Sequence, residues 1–513
     1  MTENKNIAAA TLISYMTFAI SLIIGFLYTP IILKILGEED YGIRSFSLSL
    51  TSYLSLLSLG LGSAYFRFRK LQSNKEGQSG EARINGLFLI TFGGLGLIAL
   101  LAGLVIAYLI HSGLIQTGNI DSSKKTLVSL VVLISSLNIA FSFPLSIIPA
   151  ATKYKRAFIF ENSLVLLDTV LLPIATIIFL RLFYGSYNIV LMTVIALVES
   201  LVIKIIGFTF LKVKLKDHFS FKLRRADFKL IKPIFLFSFF SFLVTMSTTI
   251  HNSSDQTIVG IMIGATAVTQ YSISVQLSTY TNTLSTSITS LFTPRIVSES
   301  IDGNQKDVQT LYRTVLQIIS LILMCVFGCF ISCGKDFIIA WVGLQNANVY
   351  EYGVALMLCT VLSVAPKWTY TYHQALNKHQ FAAILYILSV LINIGVSIIL
   401  CLFFGIWGCI IGTVFVSLIE GVGMTIYSKK KFGLTIRNYY YSLLIDGFVA
   451  FTSFLLCNGI QKIFYNLLLL SHGVRALIIG LCFITFYLLL EFIIHKELII
   501  KTIKTFRGKG NGI

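Results

Sequence analysis

The chain has 513 residues, of which 56% are hydrophobic and only 12% are charged. Soluble domains carry about 25% charged residues, so this composition excludes an ordinary water-exposed surface. The formal net charge of +18 comes from short basic clusters between apolar runs. This distribution argues against a nucleic-acid partner, because a nucleic-acid interface collects its cations on one folded face.

Apolar segments long enough to cross a bilayer recur along the whole chain. A transmembrane helix needs about 20 apolar residues. Fourteen segments qualify, at 8–34, 44–66, 84–111, 126–150, 157–180, 188–211, 233–260, 265–293, 311–334, 350–374, 381–404, 406–427, 440–465 and 474–495. We therefore expect an all-α polytopic membrane protein with about fourteen transmembrane helices.

The basic residues predict the orientation of these spans. Thirty Lys and Arg residues fall in the two tails and the even-numbered loops, whereas eight fall on the opposite side. Cytoplasmic loops carry such an excess of Lys and Arg. An even number of spans places both termini on one side, and the charge bias predicts that this side is the cytoplasm.

An internal repeat divides the chain. A shift of 227 residues aligns Gly37 with Gly264 and Tyr53 with Tyr280, and a shift of 220 aligns Gly185 with Gly405. Parallel repeats are a known transporter design. We therefore expect two pseudo-symmetric six-helix lobes, a basic cytoplasmic linker, and an appended helix pair with a cytoplasmic tail. The predicted boundaries are 1–212, 213–232, 233–431 and 432–513.

The eighth segment is unusually polar for a membrane span. Between residues 266 and 293, seventeen of twenty-eight residues are Ser, Thr, Asn or Gln. Six apolar or aromatic residues form one narrow helical stripe: Ile273, Leu277, Tyr280, Leu284, Ile288 and Leu291. Unpaired polar groups are costly in hydrocarbon, so we expect the stripe to pack and the other faces to meet water. Spans 2 and 7 are also rich in hydroxyl groups, which predicts a water-filled cavity between the two halves.

Ionisable residues inside spans are the other candidates, because each is costly there and usually serves a pathway or a partner. His251 and Asp255 lie four residues apart on one helix face, which suits either a proton or cation site or a simple intrahelical pair. Lys204 and Lys367 are candidates for binding an anion, although either side chain is also able to snorkel toward the interface. Asp168 and Glu199 leave ion coupling in the first half open.

A series of short motifs resembles the bacterial polysaccharide flippases of the Wzx type, within the multidrug/oligosaccharidyl-lipid/polysaccharide exporter superfamily. These motifs are Thr29-Pro30, Lys34 to Gly42, Leu59 to Gly62, Ser254-Asp255, Ile258 to Gly260, Gly264 to Tyr271, Pro294, Trp341 to Gly343 and Gly405 to Gly408. The resemblance extends over most of the chain.

The resemblance implies two lobes around a cavity that alternates between the two sides of the membrane. The implied substrate is an oligosaccharide linked by pyrophosphate to a polyprenyl lipid. The expected substrate-binding residues are Arg44, Tyr53, Lys204, Gln276, Tyr280, Asn282 and Lys367. The expected ion-coupling residues, for a proton or sodium, are Asp168, Glu199, His251 and Asp255.

The function expected is therefore flipping of lipid-linked oligosaccharides across the bacterial cytoplasmic (inner) membrane for O-antigen, lipopolysaccharide, capsule or exopolysaccharide assembly. We expect no enzymatic activity, no cofactor and no resident metal. Expected partners are membrane lipids, a polysaccharide polymerase and chain-length machinery. A lipid II flippase or a drug/cation antiporter of the same superfamily is the alternative. A membrane polymerase or glycosyltransferase is a more distant one.

Overall fold

The structure is a computed structural model that describes residues 3–58, 62–115, 124–301, 305–376, 380–463 and 470–494. Within these ranges the chain is helical and contains no strand, as expected for a chain whose backbone polar groups must be satisfied internally in a bilayer. The predicted all-α class is confirmed. The Leu59 to Leu61 part of one motif and the basic C-terminal tail lie outside the described residues.

In the described part of the chain, nine helices precede the polar eighth segment. They are α1 (Glu3–Leu36), α2 (Glu38–Ser52), α3 (Gly62–His111), α4 (Lys125–Leu145), α5 (Ile147–Tyr154), α6 (Phe158–Leu182), α7 (Asn188–Val213), α8 (Arg225–Phe228) and α9 (Ile231–Met262). The eighth segment forms α10 (Ala265–Ile301). Six more helices follow it among the described residues: α11 (Gln305–Val342), α12 (Val349–Ala375), α13 (Gln380–Phe404), α14 (Ile406–Phe432), α15 (Arg437–Ile463) and α16 (His472–Ile494). Short 3-10 turns occur at Tyr53–Ser58 and Leu344–Asn346.

Of the described helices, eleven are long and apolar enough to cross a membrane, and a bent segment that includes α9 raises this number to twelve. The two remaining predicted spans, 44–66 and 265–293, are also helical in large part. They are less apolar than the other spans because they are the Ser- and Thr-rich segments. The exact number of fourteen spans therefore stays a prediction.

The second predicted span is interrupted rather than continuous. The helix α2 ends at Ser52, and the 3-10 turn Tyr53–Ser58 follows. The hydroxyls of Ser49, Ser52 and Ser55 each donate to the backbone carbonyl three residues earlier, at 2.6–2.8 Å. Such local bonds compete with the regular helical pattern, which explains the tightening at this point.

The predicted loop after this span is also helical. The helix α3 runs through it, with a break at Glu76 and Gly77, where Gly77 has φ +59°. Glycine adopts this left-handed backbone without the steric penalty of a side chain. Charged residues lie on both sides of this break, up to Arg83, and the apolar part of α3 follows.

The chain folds into two compact units, one formed by residues 1–272 with 386–409 and the other by residues 273–385 with 410–513. The core of the first unit is built from α3, α4, α5 and neighbouring segments, around side chains such as Tyr65, Phe88 and Ile147. In the second unit, Phe483 and Tyr487 of α16 pack with α11 and α15, and cysteines of α11 pack against the same cluster. The predicted lobe boundaries stay a prediction.

The segment 214–224 between α7 and α8, which we call the strap, is fixed against α3 by defined contacts. The Arg69 guanidinium donates to both Asp217 carboxylate oxygens, at 2.7 and 2.8 Å. Asn85 donates to the His218 carbonyl at 2.9 Å, and the Ser220 amide donates to the Ala82 carbonyl at 2.8 Å. The strap is therefore an ordered part of the first unit.

Candidate functional site

A set of hydroxyl groups joins α2 to α9 in the first unit. Ser49 and Thr257 are hydrogen-bonded at 3.0 Å, and Ser52 donates to Ser253 at 2.7 Å. The phenol of Tyr53, one of the predicted substrate-binding residues, lies 3.2 Å from the Thr257 hydroxyl. The hydroxyl groups of spans 2 and 7 are thus partly used to bind these two helices to each other.

Two glycines bring the helix backbones close together at the same contact. A Cβ placed on Gly42 of α2 would lie 1.8 Å from the Ala265 carbonyl oxygen. A Cβ on Gly260 of α9 would lie 2.2 Å from the Phe46 ring. Small residues allow such close approach between membrane helices. In addition, Thr269 donates to the Glu38 carbonyl at 2.6 Å, so α2 is fixed against both α9 and the beginning of α10.

Asp255, predicted as an ion-coupling residue, lies in a buried polar cluster of the first unit. Its side chain is only 1% exposed. Tyr271 of α10 donates to it at 2.8 Å, and Asn393 of α13 donates at 3.4 Å. Ser397 donates in turn to the Asn393 amide oxygen at 3.3 Å. Two helices, α10 and α13, therefore supply oxygen and nitrogen groups around the one carboxylate of α9.

The sequence interpretation did not find Tyr271, Asn393 and Ser397 as parts of this cluster. A signal was present, since Asn393 is a lone amide in the apolar run Val390 to Ile394, and such residues are costly in a membrane without a role. His251 lies one turn before Asp255 on α9 and is half-buried. Its predicted part in ion coupling stays a prediction.

A second charged cluster lies among α4, α6 and α7 of the same unit. The Lys204 ammonium donates to Ser142 at 2.7 Å and also to Ser200. Glu199 is 6% exposed and interacts electrostatically with Asp168. Lys204 thus contacts hydroxyls inside the helix bundle, whereas snorkelling would aim its ammonium at the interface. The structure brings together Asp168 and Glu199, the expected ion-coupling residues, and Lys204, an expected substrate-binding residue.

In the second unit, α10 has one face of exposed hydroxyl groups. Thr279, Thr286 and Ser290 are exposed and lie at helical spacings of seven and four. Each hydroxyl donates to a backbone carbonyl three or four residues earlier, at 2.8–3.0 Å. The donor is thus satisfied inside the helix, while the oxygen lone pairs remain directed outward. Such a face can accept hydrogen bonds from water or from sugar hydroxyls.

The predicted apolar stripe on α10 is only partly correct. Ile273 and Leu277 are buried, but Leu291 is 53% exposed, so the packing ends before the last turns. Gln276 donates to Tyr280 on the same helix. Asn282 is half-buried. The expected roles of Gln276, Tyr280 and Asn282 in substrate binding stay predictions.

The remaining predicted residues are not gathered at these clusters. Arg44 of α2 is half-buried and interacts electrostatically with Tyr28 and Tyr41. Lys367 of α12 is exposed, as a snorkelling lysine would be. No group of three or more His, Cys, Asp or Glu residues suited to a metal ion occurs in the parts of the chain that the structure describes.

The acidic residues at the beginning of α2 form ion pairs. Lys124 donates to Glu39 at 2.7 Å and to Asp40 at 2.9 Å. Burial alone would lower the pKa of Lys124, but these hydrogen bonds outweigh burial and hold that pKa above its ordinary value. Acidic groups in the first turn also interact favourably with the helix dipole. These residues are therefore structural.

Comparison with known proteins identifies the family. A family model described as polysaccharide biosynthesis protein matches residues 6–300, which is more than half of the chain. The chain belongs to this family. The uncharacterized membrane protein EpsK of Bacillus subtilis (strain 168) is 21% identical over 382 residues, which is 74% of each chain.

The fold of this family member is also found in solved structures. The lipid II flippase MurJ in an inward closed conformation matches with a TM-score of 0.71 and 17% identity, over 95% of this chain and all of the other. An inward-facing MATE multidrug transporter of the MOP superfamily matches with a TM-score of 0.60 and 15% identity, over 83% of this chain and 98% of the other. The predicted resemblance is confirmed at the level of the polysaccharide biosynthesis family and of the fold, and the chain is a multi-pass membrane protein.

Proposed function

We propose that the protein flips polyprenyl-pyrophosphate-linked oligosaccharides across the bacterial cytoplasmic membrane by alternating access, for assembly of a surface polysaccharide such as O-antigen, capsule or exopolysaccharide. The observation that carries the proposal is the exposed hydroxyl face of α10. A span with this face cannot be surrounded by lipid, and sugars are natural partners for an array of hydroxyl groups. The family description and the fold support the same conclusion.

The proposal includes a cytoplasmic location for both termini. It also includes two pseudo-symmetric six-helix lobes whose helices correspond through the internal repeat. Gly37 and Gly264, which the repeat aligns, both have positive φ and each directly precedes a polar helix. This agreement supports the repeat. Coupling to protons or sodium is assigned to Asp255, with Asp168 and Glu199 as a second ionisable cluster, and a polymerase and chain-length machinery remain proposed partners.

Deletion of the gene in its bacterial host tests the function. We expect surface polysaccharide to fall and polyprenyl-linked oligosaccharides to accumulate, because assembly stops on the cytoplasmic side. Mass spectrometry of extracted lipid intermediates measures this directly. Accumulation of lipid II instead would support the alternative function as a lipid II flippase. Unchanged polysaccharide and intermediates, in a strain without a second flippase, would contradict the proposal.

The hydroxyl face of α10 gives a narrower prediction. We expect a Thr279→Val and Thr286→Val double variant to restore polysaccharide export poorly in the deletion strain, although valine has the size of threonine. Two lost hydrogen bonds of about 1 kcal/mol each correspond to roughly thirtyfold weaker sugar binding. The matched control is Thr281→Val, since Thr281 lies on the same helix but is buried. Equal export by both variants, at equal protein level, would contradict a role for this face.

Asp255→Asn tests ion coupling. We expect export to fall by about tenfold or more, because a hydrogen bond to a charged group contributes about 1.5–3 kcal/mol and the neutral amide cannot hold a cation. Asp446→Asn is a suitable control: Asp446 is also 1% exposed and accepts a hydrogen bond from a serine, Ser320, but lies in the second unit. Unaltered export by Asp255→Asn would remove this residue as a coupling site.

A further inference from the structure

The exposed charged side chains of the strap and of α8 are all basic. Between Val213 and Ile231 the chain contains two acidic residues, Asp217 and Asp227. They are only 5% and 7% exposed. Asp217 is bound by Arg69. Asp227 accepts the Arg224 amide at 2.7 Å and lies 3.3 Å from Arg83. Both carboxylates are therefore neutralised against α3.

The basic residues of the same segment point the other way. Five cations that are not ion-paired among the described residues, together with one aromatic side chain, form what we call the strap surface. Its members are all exposed: Lys214, Lys216, Phe221, Lys222, Arg225 and Lys229. Phe221 is 66% exposed. An exposed phenylalanine among lysines is unfavourable in bulk water but suits the boundary between lipid headgroups and acyl chains.

The backbone holds this arrangement in place. Lys216 has φ +48°, in the left-handed region that is unfavourable for a residue with a side chain. This bend turns Asp217 toward Arg69 while its neighbour Lys216 remains exposed. Gly86 of α3 permits the close approach, because a Cβ there would lie 1.9 Å from the Ser220 carbonyl oxygen. The cations are thus presented by an ordered surface.

The position of the strap places this surface at the membrane boundary. The strap follows the last residue of the membrane-spanning α7, Val213, and α8 precedes α9, which begins at Ile231. Attraction between basic groups and an anionic leaflet acts within about 10 Å at ordinary salt, so the headgroups beside these helix ends are within reach.

We propose that the strap surface binds the headgroups of anionic phospholipids. Its exposed cations meet the lipid phosphates, and Phe221 enters the boundary between headgroups and acyl chains. The proposal is independent of the transported substrate. The general bias of cytoplasmic loops toward basic residues depends only on how many Lys and Arg residues they contain. The strap surface differs from that bias because both nearby carboxylates, Asp217 and Asp227, are buried and bound by α3.

A reporter at the surface tests the proposal. In the full-length protein, Phe221→Trp is reconstituted in nanodiscs of phosphatidylcholine that contain a minor fraction of brominated phosphatidylglycerol, or of brominated phosphatidylcholine. Fluorescence of the protein without the substitution is subtracted to remove the three native tryptophans. We expect stronger quenching by the brominated phosphatidylglycerol, and we expect added salt to weaken this preference.

Neutral variants separate the strap surface from general charge. Each cation near an anionic leaflet favours binding by about fivefold, so Lys214→Gln, Lys216→Gln and Lys222→Gln together should lower the preference for phosphatidylglycerol by roughly a hundredfold. Lys429→Gln, Lys430→Gln and Lys431→Gln remove three exposed lysines at the end of α14, and should leave quenching unchanged. Equal quenching by both lipids, or equal loss in both triple variants, would overturn the proposal.

Discussion

Replacing Arg69 with methionine is expected to lower the free energy of unfolding by about 3–5 kcal/mol, which is typical when one partner of a buried ion pair is removed. Arg69 is fully buried. Its guanidinium binds Asp217 and Glu81, each at 2.7–2.8 Å, and lies over the Tyr154 ring with 4.2 Å to the centroid. Methionine conserves much of the volume but removes the close cation from both carboxylates. Among the described residues, they keep Lys155, almost 4 Å from each, and neutral donors, Asn85 to Asp217 at 3.3 Å and Tyr154 to Glu81 at 3.2 Å.

The measurement is unfolding by sodium dodecyl sulfate in mixed micelles, followed by circular dichroism. Lys70→Met is the matched control, because Lys70 is the next residue along α3 and is exposed. Substitutions at such surface positions usually change stability by less than about 0.5 kcal/mol. If the Arg69 variant were as stable as the Lys70 variant, the contact between strap and α3 would contribute little to folding.

Hydropathy was sufficient to predict the all-α class and the apolar helices of this protein, because the membrane imposes a minimum length and internal backbone hydrogen bonding. The same physics predicted two polar spans in the Ser- and Thr-rich segments that form α2 and α10. Both segments are helical, and their crossing of the membrane stays a prediction. The loop predicted after span 2 was wrong, since the charged residues before residue 83 extend α3. A search for long apolar segments finds membrane spans, but it does not find polar helices outside the membrane.

The pairing of polar side chains was not predictable from these patterns. Arg69 and Asp217 are 148 residues apart, and Asp255 and Asn393 are 138 residues apart. Such contacts depend on which helices pack together, and one sequence does not specify that. Lys204 illustrates the consequence: its distance from the span end left snorkelling open, and its bond to Ser142 on α4 became evident only from the packing.

The close contact of α2 with α10 makes Gly42→Ala the most informative substitution in the polar region. Alanine is favoured over glycine in a helix interior by about 1 kcal/mol. At Gly42, however, the added Cβ would lie 1.8 Å from the backbone oxygen of Ala265 and 2.8 Å from the Thr269 hydroxyl. A backbone carbonyl cannot rotate away as a side chain can, so α2 must move outward. Overpacking typically costs about 1–3 kcal/mol and sometimes more, and we expect a net loss of about 2 kcal/mol.

The outward movement has a functional consequence under the proposed cycle. It would lengthen the hydroxyl contacts of α2 with α9, including Ser52 to Ser253 at 2.7 Å, and would disfavour whichever state requires them. We expect export in the deletion strain to fall together with stability in the detergent assay. Gly94→Ala is the control, because that glycine lies in α3 with nothing within 4 Å of the added Cβ, and there the helix preference should raise stability. Opposite signs for the two substitutions would show that steric exclusion at α10 controls the position of α2. A stabilised and active Gly42 variant would mean that α2 does not need this close approach.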